Sequence, residues 1–182
     1  SRADIGTILG LDGYIDLLIP RGSNEFVRYI QENTRIPVLG HAAGICHVYV
    51  DGSADQDMAE QVALDSKIQY PAVCNAAETL LVDSAIAGSF IPRMVSEYEA
   101  NGVEVRGDER VCALSDAVPA TSEDWDTEYG DLVISIKVVD SLPEAVDFIN
   151  SHGSHHTDAI VAEDPCRAAA FVRSVDSADV FV

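Results

Sequence analysis

The feature that most constrains the fold is a regular alternation, in which short apolar, β-branched runs and segments of helical period succeed each other along most of the chain. Residues 14–19 read as a buried strand. A turn at Pro20-Arg21-Gly22-Ser23 leads into a helix over 24–33, with Phe26, Val27 and Ile30 on one face. Strands are expected over 36–39 and 45–50, separated by the flexible stretch 40–44. Ser53 and Gln56 have the spacing of a capping box, and the helix they open should stop at Tyr70, because Pro71 disfavours helical geometry in the residue before it. The next strand falls at 79–82. Cys74 and Asn75 therefore lie in a short helix-to-strand connection, where a side chain can face a cleft.

The pattern continues with a helix over 85–100 that carries Ile86, Phe90, Met94 and Tyr98 at four-residue spacing and is closed by Asn101-Gly102. A strand at 103–105 and a polar loop at 115–128 follow. Residues 132–139 alternate as a strand, and Ser141 with Pro143 and Glu144 opens a second capped helix ending at Gly153. A strand at 159–162, a helix from Asp164-Pro165 to about Val175, and a strand at 179–182 complete the series. Neighbouring parallel strands require crossovers of about a dozen residues or more, and these helices supply them, so the fold class is α/β with a mostly parallel sheet.

Composition removes several functions. The 31 acidic and 11 basic residues give a formal charge of −20, which disfavours nucleic acid and anionic membrane surfaces as partners. Lys67 and Lys137 are the only lysines, a balance that suits a salt-rich cytoplasm and equally a plain solubilising surface. No apolar run is long enough to span a bilayer, and the first residues lack a signal-peptide pattern, so a cytoplasmic protein is expected. The four cysteines, 46, 74, 112 and 166, have neither zinc-ligand nor C-x-x-C spacing, so no metal site is expected. By position alone Cys74 is open to two readings, a buried structural thiol or a nucleophile.

Several segments in order resemble γ-glutamyl phosphate reductase, also called glutamate-5-semialdehyde dehydrogenase, a branch of the aldehyde dehydrogenase superfamily. They are Ile15-Asp16-Leu17-Leu18-Ile19-Pro20-Arg21-Gly22-Ser23, then Pro37-Val38-Leu39-Gly40-His41-Ala42-Ala43-Gly44, and Tyr70-Pro71-Ala72-Val73-Cys74-Asn75-Ala76-Ala77-Glu78. Asp124-Trp125-Asp126-Thr127-Glu128-Tyr129 and Gly153-Ser154-His155-His156-Thr157-Asp158 continue the likeness.

The resemblance implies NADPH-dependent reduction of γ-glutamyl phosphate to glutamate-5-semialdehyde in proline biosynthesis. In that reading Cys74 matches the superfamily's catalytic cysteine, whose thiolate attacks the acyl phosphate to form a thioester. Gly22 and Ser23 match the Gly-Ser that lies against the coenzyme at a helix start, and Glu128 falls where relatives place a carboxylate for the nicotinamide ribose. Asn75, His41, His156 and Thr157 are candidate substrate contacts. Hydrolytic relatives carry a water-activating glutamate where this chain has Val38, a departure that favours reduction over hydrolysis of the thioester.

The implied architecture is a three-layer α/β/α catalytic domain over 40–182, preceded at 1–39 by the end of a Rossmann-like coenzyme domain, with a homo-oligomer expected. The front of the coenzyme domain and the family's last segments have no counterpart, so the isolated chain is expected to show little turnover. The rival expectation is a non-catalytic module serving assembly in a larger proline-pathway enzyme.

Overall fold

Residues 2–22, 24–40 and 43–182 are described by a computed structural model, in which the chain divides into two units, Ser1–Ala43 and Gly44–Val182. The first unit holds two helices, α1 (Arg2–Leu9) and α2 (Asn24–Asn33). Helix α2 has the expected bounds and buries Val27 and Ile30. The strands expected at 14–19 and 36–39 are reduced to one parallel bridge between Leu18 and Val38, in which the Leu39 N–H donates to the Leu18 carbonyl at 2.8 Å. The expectation of a buried strand at 14–19 fails: the Tyr14 and Ile15 N–H groups donate to the Leu11 carbonyl in a turn, and Tyr14, Leu17 and Ile19 are exposed. A parallel pair needs neighbours to extend its ladder, and this unit offers none among the described residues.

The second unit is a seven-stranded sheet, all of whose pairings are parallel. In chain order its elements are β1 (Cys46–Val50), α3 (Gln56–Ile68), β2 (Ala77–Asp83), α4 (Ser84–Ala100), β3 (Glu104–Gly107), α5 (Glu109–Cys112), β4 (Val118–Pro119), β5 (Val133–Val139), α6 (Leu142–His152), β6 (Thr157–Val161), α7 (Pro165–Ser174) and β7 (Asp179–Phe181). The strands lie in the order β4-β3-β5-β2-β1-β6-β7. Helices α3 and α4 cover one face, where Ala59, Ala63, Phe90, Ile91 and Met94 pack on Val48, Val50, Leu80 and Val82. Helices α6 and α7 cover the other, where Ala145, Ile149 and Phe171 pack on Tyr49, Leu81 and Ile160. Because consecutive residues of β1 and β2 point to opposite faces and both faces are covered, these strands are buried at every position, which explains their continuous apolar character. This is the three-layer α/β/α fold.

Local signals were misread in three places. The N-cap of α3 is Asp55, whose carboxylate accepts the Asp57 and Met58 N–H groups, while Ser53 donates its own N–H and hydroxyl to Asp51. Ser141 does cap α6, but the Glu144 carboxylate takes the Asp140 N–H, so the box is not reciprocal. The polar stretch taken as loop contains β4 and a 3₁₀ turn, Ser122–Asp126, closed by a capping box between Thr121 and Asp124. No described helix is long and apolar enough to cross a membrane.

Candidate functional site

Cys74 sits where the sequence places it, on the turn between α3 and β2, and its side chain is half-buried. The turn is set by the Val73 N–H donating to Tyr70 and the Ala76 N–H donating to Val73. Two residues of the neighbouring β1 segment hold its main chain. Gly44 lies so close that a Cβ there would collide with the Cys74 carbonyl oxygen and fall 2.7 Å from the Cys74 Cα. Cys46 donates its thiol hydrogen to the same carbonyl at 3.3 Å.

The two thiols have different surroundings. Cys46 is 2% exposed, and burial pushes its thiol up to about 12, with a Thr157 backbone hydrogen bond opposing and the Asp158, Cys74 and Glu78 charges adding to the rise. It is therefore a neutral hydrogen-bond donor at ordinary pH. Cys112 points at the Gly107 and Ala117 carbonyls, and Cys166 is exposed at the start of α7. Of the four, Cys74 alone stands on a turn whose backbone is gripped by a neighbouring strand.

Strand register gathers further residues at the same edge. His47 pairs with Asp158 and with Thr79, so the starts of β6, β1 and β2 lie side by side. This brings Thr157, next to Cys46, into the same row as Cys74. His156 meets the Thr157 hydroxyl through Nδ1 at 2.7 Å. The segment is fixed by Ser154, whose hydroxyl accepts the Ile45 N–H at 2.9 Å, and by Asp158, which takes the His47 N–H and Nδ1 at 2.8 Å and the Ser177 hydroxyl. Asn75 is exposed beside Cys74.

Glu128, half-buried, precedes β5 at this edge. The residues around it are firmly held. Tyr129 donates to Asp124 at 2.9 Å and meets the Ser135 hydroxyl at 2.7 Å, Arg106 pairs with Asp124, and Trp125 packs edge-on against Phe148. Gly22 belongs to the first unit, where it precedes α2 with φ 149°, a conformation that favours glycine. Ser23 and His41 lie outside the described residues.

Cys74, Thr157 and Glu128 thus share the amino-terminal edge of the sheet. Open parallel sheets more often bind ligands at the carboxyl ends of their strands. Here that end of β1 and β2 is closed by Asp51, Asp83, Tyr49 and Arg167, which bond to one another: the Tyr49 hydroxyl lies 3.1 and 3.0 Å from the two carboxylates, and Arg167 pairs with both. Sequence reasoning missed Gly44 and Cys46. A glycine two residues before a buried cysteine at a strand start was the available signal, but its meaning depends on which backbone lies across from it.

No protein-family model matches the chain. Among curated proteins it is 58% identical to a γ-glutamyl phosphate reductase of a Synechococcus species over 182 residues, which is all of this chain and 40% of the relative. It is 53% identical to the enzyme of the same name from Haloquadratum walsbyi over 189 residues, again all of the chain and 41% of the relative. Among solved structures, γ-glutamyl phosphate reductase from Thermotoga maritima superposes with a TM-score of 0.96 at 41% identity, covering 100% of this chain and 44% of that one. A benzaldehyde dehydrogenase from Corynebacterium glutamicum, at 18% identity and a TM-score of 0.75, covers 91% of this chain and 45% of that one and shares the fold. The chain spans about two-fifths of the length of the curated relatives it matches, and along all of its 182 residues it is similar in sequence and fold to proteins named γ-glutamyl phosphate reductase.

Proposed function

We propose that the enzyme to which this chain corresponds reduces γ-glutamyl phosphate with NADPH to glutamate-5-semialdehyde and phosphate, and that Cys74 carries the acyl group. The observation that carries this reading is Cys74 itself, a half-buried thiol on a turn clamped by Gly44 and Cys46, in a chain 58% identical to a protein named for that reaction.

The chemistry follows from the residues. The Cys74 thiolate attacks the acyl carbon, a C–S bond forms, the C–O bond to phosphate breaks, and phosphate departs. A nicotinamide coenzyme supplies the hydride that reduces the thioester carbon. When the C–S bond of the resulting thiohemiacetal breaks, the aldehyde leaves and the thiol is restored. Fixing the Cys74 carbonyl removes backbone freedom from the nucleophile, which favours a near-attack geometry. Val38 provides no carboxylate to activate water, so the thioester is spared for reduction rather than hydrolysed to glutamate.

Glu128 is suited to a coenzyme ribose, since a carboxylate accepts hydrogen bonds from two vicinal hydroxyls and its segment is already rigid. Gly22, with Ser23, would meet the coenzyme phosphates ahead of α2. His41, Asn75, His156 and Thr157 are the proposed contacts to the substrate. These 182 residues match about two-fifths of each relative; in the proposed reading the rest of such an enzyme supplies most of the coenzyme surface, and the chain alone should turn over little.

The test is a steady-state assay with NADPH of the 182-residue chain, of an enzyme of the relatives' length carrying it, and of the Cys74→Ala form of each. Thiol-dependent reduction is expected in the longer enzyme alone. Equal rates with and without Cys74 would refute the role of the thiol.

A further inference from the structure

Lys67 and Glu78 form an ion pair at 2.6 Å with side chains 0% and 1% exposed. Their positions give the pair its interest. Lys67 is the penultimate residue of α3 and Glu78 the second of β2, so the bond closes the base of the turn that carries Cys74. The other Glu78 oxygen accepts the Gly130 N–H at 3.2 Å. Gly130 follows Glu128 by two residues and has φ 59°, a left-handed conformation open to glycine. The Lys67 ammonium also lies 5.9 Å from the centre of the intervening Tyr129 ring.

Such a pair is a poor source of stability. Burial pushes Lys67 down and Glu78 up, each opposed by its partner's charge, and taking two charges out of water costs about as much as their attraction returns. Its effect lies in what it joins.

We infer that Lys67 and Glu78 are positioning residues that clasp the Cys74 turn and tie it to the Glu128 segment, so that the thiol and the coenzyme-facing carboxylate are held as one unit. This rests on the reading of Glu128 as a coenzyme contact. The clasp acts through Glu128 and Cys74 and touches neither substrate nor coenzyme.

The experiment replaces both charges, Lys67→Met with Glu78→Met, so that no lone charge is buried, in an enzyme of the relatives' length carrying this sequence. Three readouts are taken: the KM for NADPH and for the acyl substrate, and amide exchange at Gly130. The expected result is a cooperative melt, faster exchange at Gly130, and a coenzyme KM raised about tenfold with a much smaller change for the acyl substrate. Lys67→Met with Glu78→Gln, which keeps a carbonyl acceptor for Gly130, should recover most of the loss. A folded Met/Met variant with unchanged coenzyme KM and unchanged Gly130 exchange overturns the inference; if that variant does not fold, Lys67→Leu with Glu78→Leu, which likewise leaves no lone charge buried and no acceptor for Gly130, decides by the same readouts. Glu128→Ala, measured beside them, separates the two claims. If it leaves the coenzyme KM unchanged, the reading of Glu128 fails, and Gly130 exchange alone then decides the clasp: faster in the variant supports it, unchanged overturns it.

Discussion

The Cys46 thiol donates a hydrogen bond to the Cys74 carbonyl at 3.3 Å, so that one cysteine, buried and neutral, serves as a structural support for the other. Removing the donor by Cys46→Ala should cost about 1–2 kcal/mol, from one lost hydrogen bond and a small void. Urea unfolding measures it. The Cys74 alkylation rate should change with it, because the support is local to that turn.

Gly44→Ala should be far worse. Its Cβ would collide with the Cys74 backbone, and neither side of that contact is a flexible side-chain end. A loss of at least about 3 kcal/mol, or failure to fold, is expected in chemical denaturation. A wild-type denaturation midpoint would show that the backbones are not pressed together.

Alkaline stability should fall early. The Cys46 thiol is raised to about 12, and burial also raises the Tyr49 and Tyr98 hydroxyls. In each case the folded form keeps a proton that the unfolded chain releases, so folding takes up protons above about pH 9 and stability drops as pH rises, by up to about 1.4 kcal/mol per pH unit for each such group. For Cys46 the window runs from about 9 to about 12. Denaturant midpoints of wild type and Cys46→Ala should converge as pH rises through that range and cross before its upper end.

Acid should loosen the segment that bears Glu128. Burial alone would raise the Asp124 carboxyl, but hydrogen bonds from the Thr121 N–H and hydroxyl, Arg106 and Tyr129 outweigh it and hold the group down at about 2. A depressed carboxyl stabilises fully above its unfolded value near 3.8 and loses that contribution as pH falls towards 2. Asp124→Asn should abolish this part of the acid profile and speed amide exchange over residues 121–130 at neutral pH.

Salt should stabilise the fold. With a formal charge of −20, self-repulsion falls as the Debye length shrinks from about 30 Å at 0.01 M salt to about 10 Å at 0.1 M. The thermal midpoint should rise steadily with KCl. An unchanged midpoint would mean that the acidic surface is energetically silent.

Much of the second unit was legible because covered parallel strands must be apolar throughout and the intervening helices carry period and caps; 132–139, for instance, emerges as Val133–Val139. The first unit was less legible. Residues 14–19 and 36–39 have the composition of buried strands, but strand formation depends on neighbours that local sequence does not contain. Cys74 was found through its resemblance to a catalytic cysteine, and its place on a turn followed from Pro71 and the strand beyond. The support from Gly44 and Cys46, and the pairing of Lys67 with Glu78, join residues 30, 28 and 11 positions apart. No periodicity links such residues; only strand register does.

The most direct test of the central claim runs the reaction backwards, oxidising glutamate-5-semialdehyde with NADP⁺ in phosphate by an enzyme of the relatives' length carrying this chain, with and without Cys74→Ala. The account predicts phosphate-dependent NADPH formation that falls at least about 10³-fold when the thiol is removed. Retention of activity within tenfold, or an equal rate without phosphate, would contradict it.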